Sequence, residues 1–295
     1  MSRSKNYLVF GAEGHIGSTL FNSIEMSQKS CWGTVRHPIN SPKIIYLDLQ
    51  NEISDECIPN VEFQAAIICA GITSIAACEA DPKKTYKVNV MGILKVLEIL
   101  AKRKIYTLYL SSNQVFNGEI AFVDSREKMN PTTQYGIQKK IVEESIFKLY
   151  KQFGVLRLTK VIESSFPLFN SWVGDLRDQR AIYPFSDINI SPISIDLVVQ
   201  VAMRMAENKV RGVMQLSALD EVSFLDLAFF IARKNNLNVS LIKPVQHRER
   251  LFYSGHQHNS LSTIRLVREM GIVPPKSLEV ASLFLNKQDW MLNAK

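Results

Sequence analysis

The chain has 295 residues, 46% hydrophobic and 21% charged, which is the composition of a folded protein with room for two domains and excludes disordered and collagen-like classes. No apolar stretch approaches the roughly 20 residues of a membrane-spanning helix, and the N-terminus leaves no room for a signal peptide, so we expect a cytoplasmic protein. The formal charge of +7 comes from scattered Lys and Arg without a nucleic-acid-binding motif, which favours an anionic small molecule as partner. The four cysteines lack zinc-binding spacing, and we predict no metal site.

Apolar runs alternate with helix-period segments along the first half of the chain, which predicts an α/β fold with a doubly wound parallel sheet. The predicted strands are Tyr7–Phe10, Cys31–Val35, Ile44–Leu47, Ala65–Cys69, Tyr106–Leu110 and Val155–Leu158. The predicted helices are Ile16–Ser27, Thr85–Lys102, Gln134–Phe153, Asp196–Glu207 and Ser223–Lys234. Prolines 167, 184 and 192 predict an irregular stretch after Lys160. We therefore expect a first domain over residues 1–165 and a smaller mixed domain over 166–295, with some segments returning to the first sheet.

Three glycines at three-residue spacing follow the first predicted strand and open the first predicted helix. These are Gly11, Gly14 and Gly17. Glycine permits a tight turn and lets the backbone approach a pyrophosphate, whose charge then meets the helix N-terminus. This order of strand, loop and helix predicts a Rossmann-type dinucleotide-binding domain, with His15 and Ile16 beside the cofactor. The alternative is a glycine-rich turn in an unrelated α/β protein.

The residue at the end of the second predicted strand bears on the choice of cofactor. NAD-binding domains usually place an acidic residue about 20 residues beyond the glycine loop to hold the ribose hydroxyls. This chain has Arg36 there, and a guanidinium can hold a 2′-phosphate through paired charge-assisted hydrogen bonds. We therefore predict NADP(H) over NAD(H). The alternative is that Arg36 is a solvated surface residue.

Tyr135 and Lys139 stand four residues apart in a predicted helix and project from one face. An ammonium about 4 Å from a phenol favours the phenolate by several kcal/mol at an effective dielectric near 20, so we expect Lys139 to lower the pKa of Tyr135. Gly136 costs about 1 kcal/mol relative to alanine inside a helix, which indicates a close approach of neighbouring atoms there.

Ser112 lies at the carboxyl end of a predicted strand, the edge at which open α/β sheets bind ligands. Together with Tyr135 and Lys139 it forms a set that is more specific than any of its members. We expect Ser112 to hydrogen-bond a substrate carbonyl and Tyr135 to transfer the proton. Lys139 would hold the cofactor ribose and tune Tyr135.

Several strings together resemble the extended short-chain dehydrogenase/reductase family over nearly the whole chain. They are the glycine loop, Leu47-Asp48-Leu49, Ala70-Gly71, Cys78-Glu79-Ala80-Asp81-Pro82, Val88-Asn89-Val90, Ser111-Ser112 and Tyr135 through Lys139. Within the family, the segment from Ser111 to Gly118 is similar to the dTDP-4-dehydrorhamnose reductase branch. The resemblance implies nucleotide-sugar substrates and a homodimer. It also implies the following roles: Asp48 and Leu49 beside the adenine, Ala70 and Gly71 beside the adenosine ribose, and Asn89 supporting Lys139.

Two departures from the family pattern refine the function. Asn113 and Gln114 stand where nucleotide-sugar dehydratases carry an Asp-Glu pair, and amides cannot perform general acid–base work, so dehydration is disfavoured. The segment after Leu158 lacks the usual Gly-Pro turn, which indicates a remodelled substrate wall. We predict an oxidoreductase of polysaccharide biosynthesis, an NAD(P)H-dependent reductase of a 4-keto nucleotide-sugar. The alternatives are a 4-epimerase using the same three residues and a non-catalytic regulatory subunit, like the accessory subunit of methionine adenosyltransferase.

The remaining substrate-site candidates lie in the second half of the chain. Trp172 and Tyr183 are expected either to stack on a base or to pack in the core. Four arginines are candidate clamps for the substrate pyrophosphate or, equally, solvated surface residues: Arg177, Arg180, Arg248 and Arg250.

Overall fold

The computed structural model describes residues 6–149, 152–163, 166–247 and 256–283, so the candidate clamps Arg248 and Arg250 lie outside the described residues. The chain divides into two compact units. The first unit is made of Met1–Phe116, Lys128–Leu158 and Asp196–Met214. The second unit is made of Asn117–Glu127, Thr159–Ile195 and Gln215–Lys295. Among the described helices, none has the length and apolar character of a membrane span.

The elements are numbered here in chain order. The strands are β1 (Asn6–Phe10), β2 (Ser30–Val35), β3 (Ile44–Tyr46), β4 (Phe63–Ile68), β5 (Tyr106–Ser112), β6 (Phe153–Leu158), β7 (Val161–Ile162), β8 (Asn189–Ile190), β9 (Ile193–Ser194), β10 (Gly212–Leu216) and β11 (Val222–Ser223). The α-helices are α1 (His15–Met26), α2 (Ile75–Ala80), α3 (Pro82–Tyr86), α4 (Ile93–Lys102), α5 (Gln134–Leu149), α6 (Pro167–Arg177), α7 (Ile195–Glu207), α8 (Phe224–Lys234) and α9 (Ile264–Met270).

A seven-stranded sheet forms the centre of the first unit, in the order β10-β6-β5-β4-β1-β2-β3. The pairings from β3 to β6 are parallel, with Phe10 opposite both Thr34 and Ile68. The direction of winding reverses between β1 and β4, and ligands of open α/β sheets bind at such a reversal, outside the carboxyl ends of the strands. This topology confirms the predicted doubly wound, Rossmann-type sheet.

The buried faces of this sheet explain why its strands are nearly uniform apolar runs. In β1 the side chains from Tyr7 to Phe10 are fully buried, as expected for a parallel strand covered by helices on both faces. Helix α4 contributes Val96, Leu97 and Leu100 to the same core. The apolar residues of α4 recur at the 3.6-residue period of a helix, so they form one face, and this is the face that α4 buries.

Three local features differ from the sequence predictions. The predicted helix Gln134–Phe153 is too long, because Phe153 begins β6 and pairs with Thr107 of β5. The predicted helix Thr85–Lys102 contains a π-helical segment over Lys87–Gly92, where a Cβ on Gly92 would lie 2.4 Å from the Leu49 carbonyl oxygen. The stretch after Lys160 is not wholly irregular, because Pro167 occupies the first turn of α6, a position that needs no N–H donor.

The second unit has its own core, built between α6 and α8. Phe169, Trp172 and Leu176 of α6 lie in the same buried cluster as Leu227 and Ile231 of α8. Two small sheets accompany the helices: β8 pairs antiparallel with β11, and β7 pairs parallel with β9. Ser223 caps α8 by accepting a hydrogen bond from the Asp226 N–H at 2.9 Å, as its sequence position predicts.

Candidate active site

The glycine loop between β1 and α1 is shaped by contacts that exclude side chains. Gly11 has a φ of +82°, and a Cβ there would lie 2.9 Å from the backbone of Ala70. A Cβ on Gly17 would lie 2.0 Å from the Gly11 carbonyl oxygen. Gly14 is the N-cap of α1 and has no side chain to cap the first N–H groups. These donors at a helix N-terminus are the groups that bind a pyrophosphate, so the loop fits a dinucleotide.

The predicted residues His15 and Ile16 are the first two of α1. His15 is exposed and Ile16 is half-buried. Asp48 follows β3 and accepts a hydrogen bond from the Gln50 N–H at 2.9 Å. Leu49 is buried beside Gly92 of the π-helical segment. All four residues belong to the first unit, beyond the carboxyl end of β3 or at the start of α1.

Asn89 connects the loop after β4 to helix α5. Its amide oxygen accepts from the Ile72 N–H at 2.7 Å, and its amide nitrogen donates to the Ile72 carbonyl at 2.8 Å and to Gln138 Oε1 at 2.8 Å. Gly71, with a φ of +147°, passes directly beside Asn89, where a Cβ would lie 3.0 Å from Oδ1. Asn89 therefore holds the Ala70-Gly71 loop and bonds to Gln138 rather than to Lys139.

Arg36 follows β2 and is paired with a residue of the glycine loop. Its Nε donates to Glu13 Oε1 at 2.8 Å, and its backbone N–H donates to the same oxygen at 3.0 Å. His37 Nδ1 lies 3.4 Å from Glu13 Oε2. Burial would raise the pKa of Glu13, but the hydrogen bonds from Arg36 and His37 outweigh it and lower that pKa. Glu13 is absent from the predicted set, although an acid between Gly11 and Gly14 is visible in the sequence.

Ser112 and Tyr135 meet at the carboxyl end of β5. The Ser112 hydroxyl lies close enough to the Tyr135 hydroxyl to lower its pKa, and the phenol is buried. The expectation that Lys139 lowers the pKa of Tyr135 is wrong for this structure. Burial is the largest influence and raises the pKa of Tyr135, the nearby Cys78 thiol raises it further, and the Ser112 hydroxyl only partly offsets them.

Lys139 is buried one turn beyond Tyr135, and its ammonium is held by a backbone carbonyl. Nζ donates to the Leu110 carbonyl oxygen at 2.8 Å. It lies 4.5 Å from the centre of the Tyr109 ring and 5.7 Å from that of Tyr135. Burial lowers the pKa of Lys139 to about 8, although the Glu143 carboxylate acts in the opposite direction. The ammonium is thus held at the carboxyl end of β5.

Gly136 confirms the predicted close approach inside α5. A Cβ there would lie 2.0 Å from the Gln114 carbonyl oxygen and 2.9 Å from Pro131 Cβ. The 3₁₀ turn Asn113–Val115 is fixed in turn by Ser112, whose Oγ accepts from the Gln114 N–H at 3.3 Å and donates to Asn113 Oδ1 at 3.2 Å. The amides at 113 and 114 thus belong to the turn that positions Ser112 against α5.

A buried ion pair supports the same helix and is absent from the predicted set. Arg157 of β6 donates to Glu143 of α5 from Nη2 at 2.7 Å and from Nε at 3.1 Å, and both side chains are almost fully buried. The Arg157 guanidinium also lies 5.0 Å from the centre of the Phe116 ring. Glu143 follows Lys139 by one helical turn, so the pair places a fixed negative charge beside the buried ammonium.

The predicted substrate residues of the second unit have other contacts. Trp172 lies in the core of that unit, stacked on Phe169, so packing is the alternative that the structure supports. Arg180 forms ion pairs with Asp175 and Asp178. Tyr183 and Arg177 are exposed. This unit therefore adds no converging set of polar side chains at the predicted positions that the structure describes.

Comparison with known families matches residues 5–288 to the RmlD substrate binding domain. The chain belongs to this family. A crystal structure of dTDP-4-dehydrorhamnose reductase from Bacillus anthracis in complex with NADP has the same fold, with a TM-score of 0.84, 16% identity, and coverage of 96% of this chain and 99% of that chain.

Two further relatives differ from each other in function. The probable low-salt glycan biosynthesis reductase Agl14 of Haloferax volcanii is 22% identical over 229 residues, which cover 73% of this chain and 75% of that protein. Methionine adenosyltransferase 2 subunit beta of Mus musculus is 21% identical over 263 residues, which cover 82% of this chain and 75% of that protein. RmlD family membership confirms the predicted assignment to the extended short-chain dehydrogenase/reductases and to the NAD(P)-dependent oxidoreductases of nucleotide-sugar metabolism.

Proposed function

We propose that this protein is an NAD(P)H-dependent reductase of a 4-keto nucleotide-sugar, with Tyr135 as the proton donor. The observation that carries the proposal is the placement of the Ser112 hydroxyl beside the buried Tyr135 phenol at the carboxyl edge of the sheet. Lys139 lies one helical turn away, with its ammonium 5.7 Å from the centre of the Tyr135 ring. A hydroxyl pair at this edge is suited to receive a carbonyl oxygen. The keto-sugar class is further supported by the similarity to the dTDP-4-dehydrorhamnose reductase of Bacillus anthracis.

The nicotinamide cofactor would bind to the residues of the first unit that the sequence predicts for it. The uncapped start of α1 and the side-chain-free turn at Gly11 and Gly17 support a pyrophosphate there, and the exposed Arg36 supports NADP(H) over NAD(H). When bound, the nicotinamide supplies the hydride. The proposed cofactor-binding residues are Gly11, Gly14, His15, Ile16, Gly17, Arg36, Asp48, Leu49, Ala70, Gly71, Asn89 and Lys139.

The chain's own groups would perform the proton transfer. Ser112 would donate a hydrogen bond to the substrate oxygen, which positions the carbonyl against the Tyr135 hydroxyl. Tyr135 would then release its proton to the same oxygen as negative charge develops there. Lys139, fixed on the Leu110 carbonyl, would stabilise the resulting phenolate from one helical turn away.

The decisive experiment measures NADPH oxidation with 4-keto-6-deoxy sugars linked to dTDP, GDP or UDP. Tyr135→Phe removes the proton donor and keeps the ring, so turnover should fall by at least about 100-fold while the Kd of NADPH changes little. Tyr86→Phe is the matched control, because that tyrosine is exposed on α3. Full activity in Tyr135→Phe would refute the assignment.

The same experiment separates the reductase from the two alternatives. A 4-epimerase would interconvert sugars without net NADPH consumption, and loss of that activity in Tyr135→Phe would assign the same residues to it. A regulatory role is favoured by the similarity to methionine adenosyltransferase 2 subunit beta. NADPH binding without turnover of any sugar, together with capture of a partner enzyme, would support that role instead.

We also propose a homodimer formed through the helices around α4 and α5. Met91, Ile137 and Phe147 are large apolar residues exposed on these helical segments of the first unit. Burying them against a second copy would remove apolar surface from water.

A further inference from the structure

Glu13 occupies the place in the first unit where the adenosine ribose of a dinucleotide is expected. The strands β1 and β2 are neighbours in register, so the residues that follow them meet at one edge of the sheet. The loop is tied to the end of β2 by hydrogen bonds from the Gly11 N–H to Thr34 Oγ1 at 3.0 Å and from the Ala12 N–H to the Thr34 carbonyl at 2.9 Å. The carboxylate of Glu13 and the guanidinium of Arg36 are therefore held together beside the expected ribose.

The two nicotinamide cofactors differ only in the group at this ribose. NADH has a 2′-hydroxyl, which is neutral and can donate a hydrogen bond. NADPH has a 2′-phosphate, which carries a charge of about −1.5 to −2 and accepts hydrogen bonds. A carboxylate accepts a hydrogen bond from the hydroxyl and repels the phosphate, whereas a guanidinium attracts the phosphate. The chain offers both groups at this position.

The observed hydrogen bonds show that the Glu13 carboxylate holds the Arg36 side chain in place. Glu13 Oε1 accepts from both the Nε and the backbone N–H of Arg36, and Oε2 lies near His37. The Arg36 side chain is 66% exposed and that of Glu13 is 26% exposed, so the guanidinium is the more accessible partner. The hydrogen bonds from Arg36 and His37 hold the Glu13 carboxylate in place, and a pair of one carboxylate and one guanidinium has no net charge.

We propose that Glu13 is a specificity-determining residue for the cofactor. It holds Arg36 and neutralises its charge, which weakens the attraction of Arg36 for a 2′-phosphate, and it offers a hydrogen-bond acceptor to a 2′-hydroxyl. Arg36 supplies the preference for NADPH, and Glu13 limits it, so that the wild-type protein binds both cofactors. The inference rests on the proposed function only in requiring that the chain binds a nicotinamide dinucleotide.

The test measures the Kd of NADPH and of NADH by fluorescence titration, without substrate. Glu13→Gln removes the negative charge and keeps the shape of the side chain. The variant loses the repulsion of the NADPH 2′-phosphate and the charged acceptor for the NADH 2′-hydroxyl, both at an exposed position. We therefore expect the ratio of the two Kd values to shift about tenfold in favour of NADPH. In the background of Arg36→Gln the same change should give a shift of only about threefold, because part of the effect acts through Arg36.

Glu98→Gln provides the matched control, since it removes one exposed carboxylate that pairs with Lys95 and Lys102 on α4, away from the glycine loop. Its Kd ratio should equal that of the wild type. An unchanged ratio in Glu13→Gln, or a shift toward NADH, would overturn the inference. A tenfold shift in a protein that reduces no keto sugar would uphold it and refute the reductase, whereas failure to bind either cofactor would refute both.

Discussion

Replacing Gly136 by alanine should disturb catalysis far more than stability. An alanine Cβ would stand 2.0 Å from the Gln114 carbonyl oxygen, whereas real Cβ contacts essentially never fall below 3.0 Å, so about 1 Å of movement is required. The obstructing atom is backbone, which cannot rotate away as a flexible side chain can. Either α5 or the turn Asn113–Val115 has to move. Tyr135 lies on α5 and Ser112 holds the turn Asn113–Val115, so the movement of either element separates the two hydroxyls.

The magnitudes of this change can be set against each other. Overpacking in a well-packed site costs about 1–3 kcal/mol, and exchanging glycine for alanine inside a helix returns about 1 kcal/mol. The net loss of unfolding free energy should therefore be at most about 2 kcal/mol. A 1 Å misplacement of reacting groups can lower the rate about 100-fold. We expect kcat/KM to fall by that order while the protein remains folded.

The assay compares urea unfolding midpoints and kcat/KM for NADPH oxidation in Gly136→Ala and Gly174→Ala. Gly174 lies in α6 and has no atom within 4 Å of an added Cβ. It therefore reports the helix-propensity gain alone, about 0.5–1 kcal/mol of stabilisation with unchanged activity. If Gly136→Ala behaves like Gly174→Ala in both measurements, the contact with Gln114 does not constrain the site.

Two further predictions concern the buried charges of the first unit. Burial lowers the pKa of Lys139 to about 8, so its side chain is a charged ammonium below that pH and a neutral amine above it. NADPH affinity should therefore weaken between pH 7 and pH 9. A Kd that stays constant over this range would contradict the role of Lys139 in holding the ribose. Arg157→Met leaves Glu143 buried without its partner and should lower the free energy of unfolding by about 3–5 kcal/mol. The double variant Arg157→Met with Glu143→Leu should lose much less. Equal urea midpoints for the single and double variants would argue against this reasoning.

The fold could be predicted from the sequence because its parallel strands are buried on both faces. A run such as Tyr7–Phe10 has no polar face, and a glycine loop and a helix follow it directly. The end of helix α5 could not be predicted in the same way. The apolar residues up to Phe153 fit a helix as well as a strand, and only the pairing of Phe153 with Thr107 decides between them.

The side chains of the candidate site were predictable where a local motif carries them. Ser112, Tyr135 and Lys139 lie in short recognisable strings, and Gly136 carries its own helix penalty. Glu13 and Arg36 are 23 residues apart, and Glu143 and Arg157 are 14 apart, so their contacts depend on strand pairing and helix packing. Burial is equally invisible in composition, which is why the pKa shifts of Tyr135 and Lys139 could not be derived from spacing alone.

The protonation state of Tyr135 fits the reductive direction of the proposed reaction, although its raised pKa makes the phenol a weaker acid. A phenol is protonated at neutral pH, and burial favours that form further in Tyr135; this is the form that can give a proton to a developing alkoxide. An enzyme that oxidised an alcohol would instead need the phenolate as a base, and burial opposes that form. Lys139 offsets part of this cost only after the proton has left, because an ammonium stabilises phenolate and not phenol. The buried pair Glu143–Arg157 helps to keep that ammonium charged, since the carboxylate acts against the desolvation of Lys139.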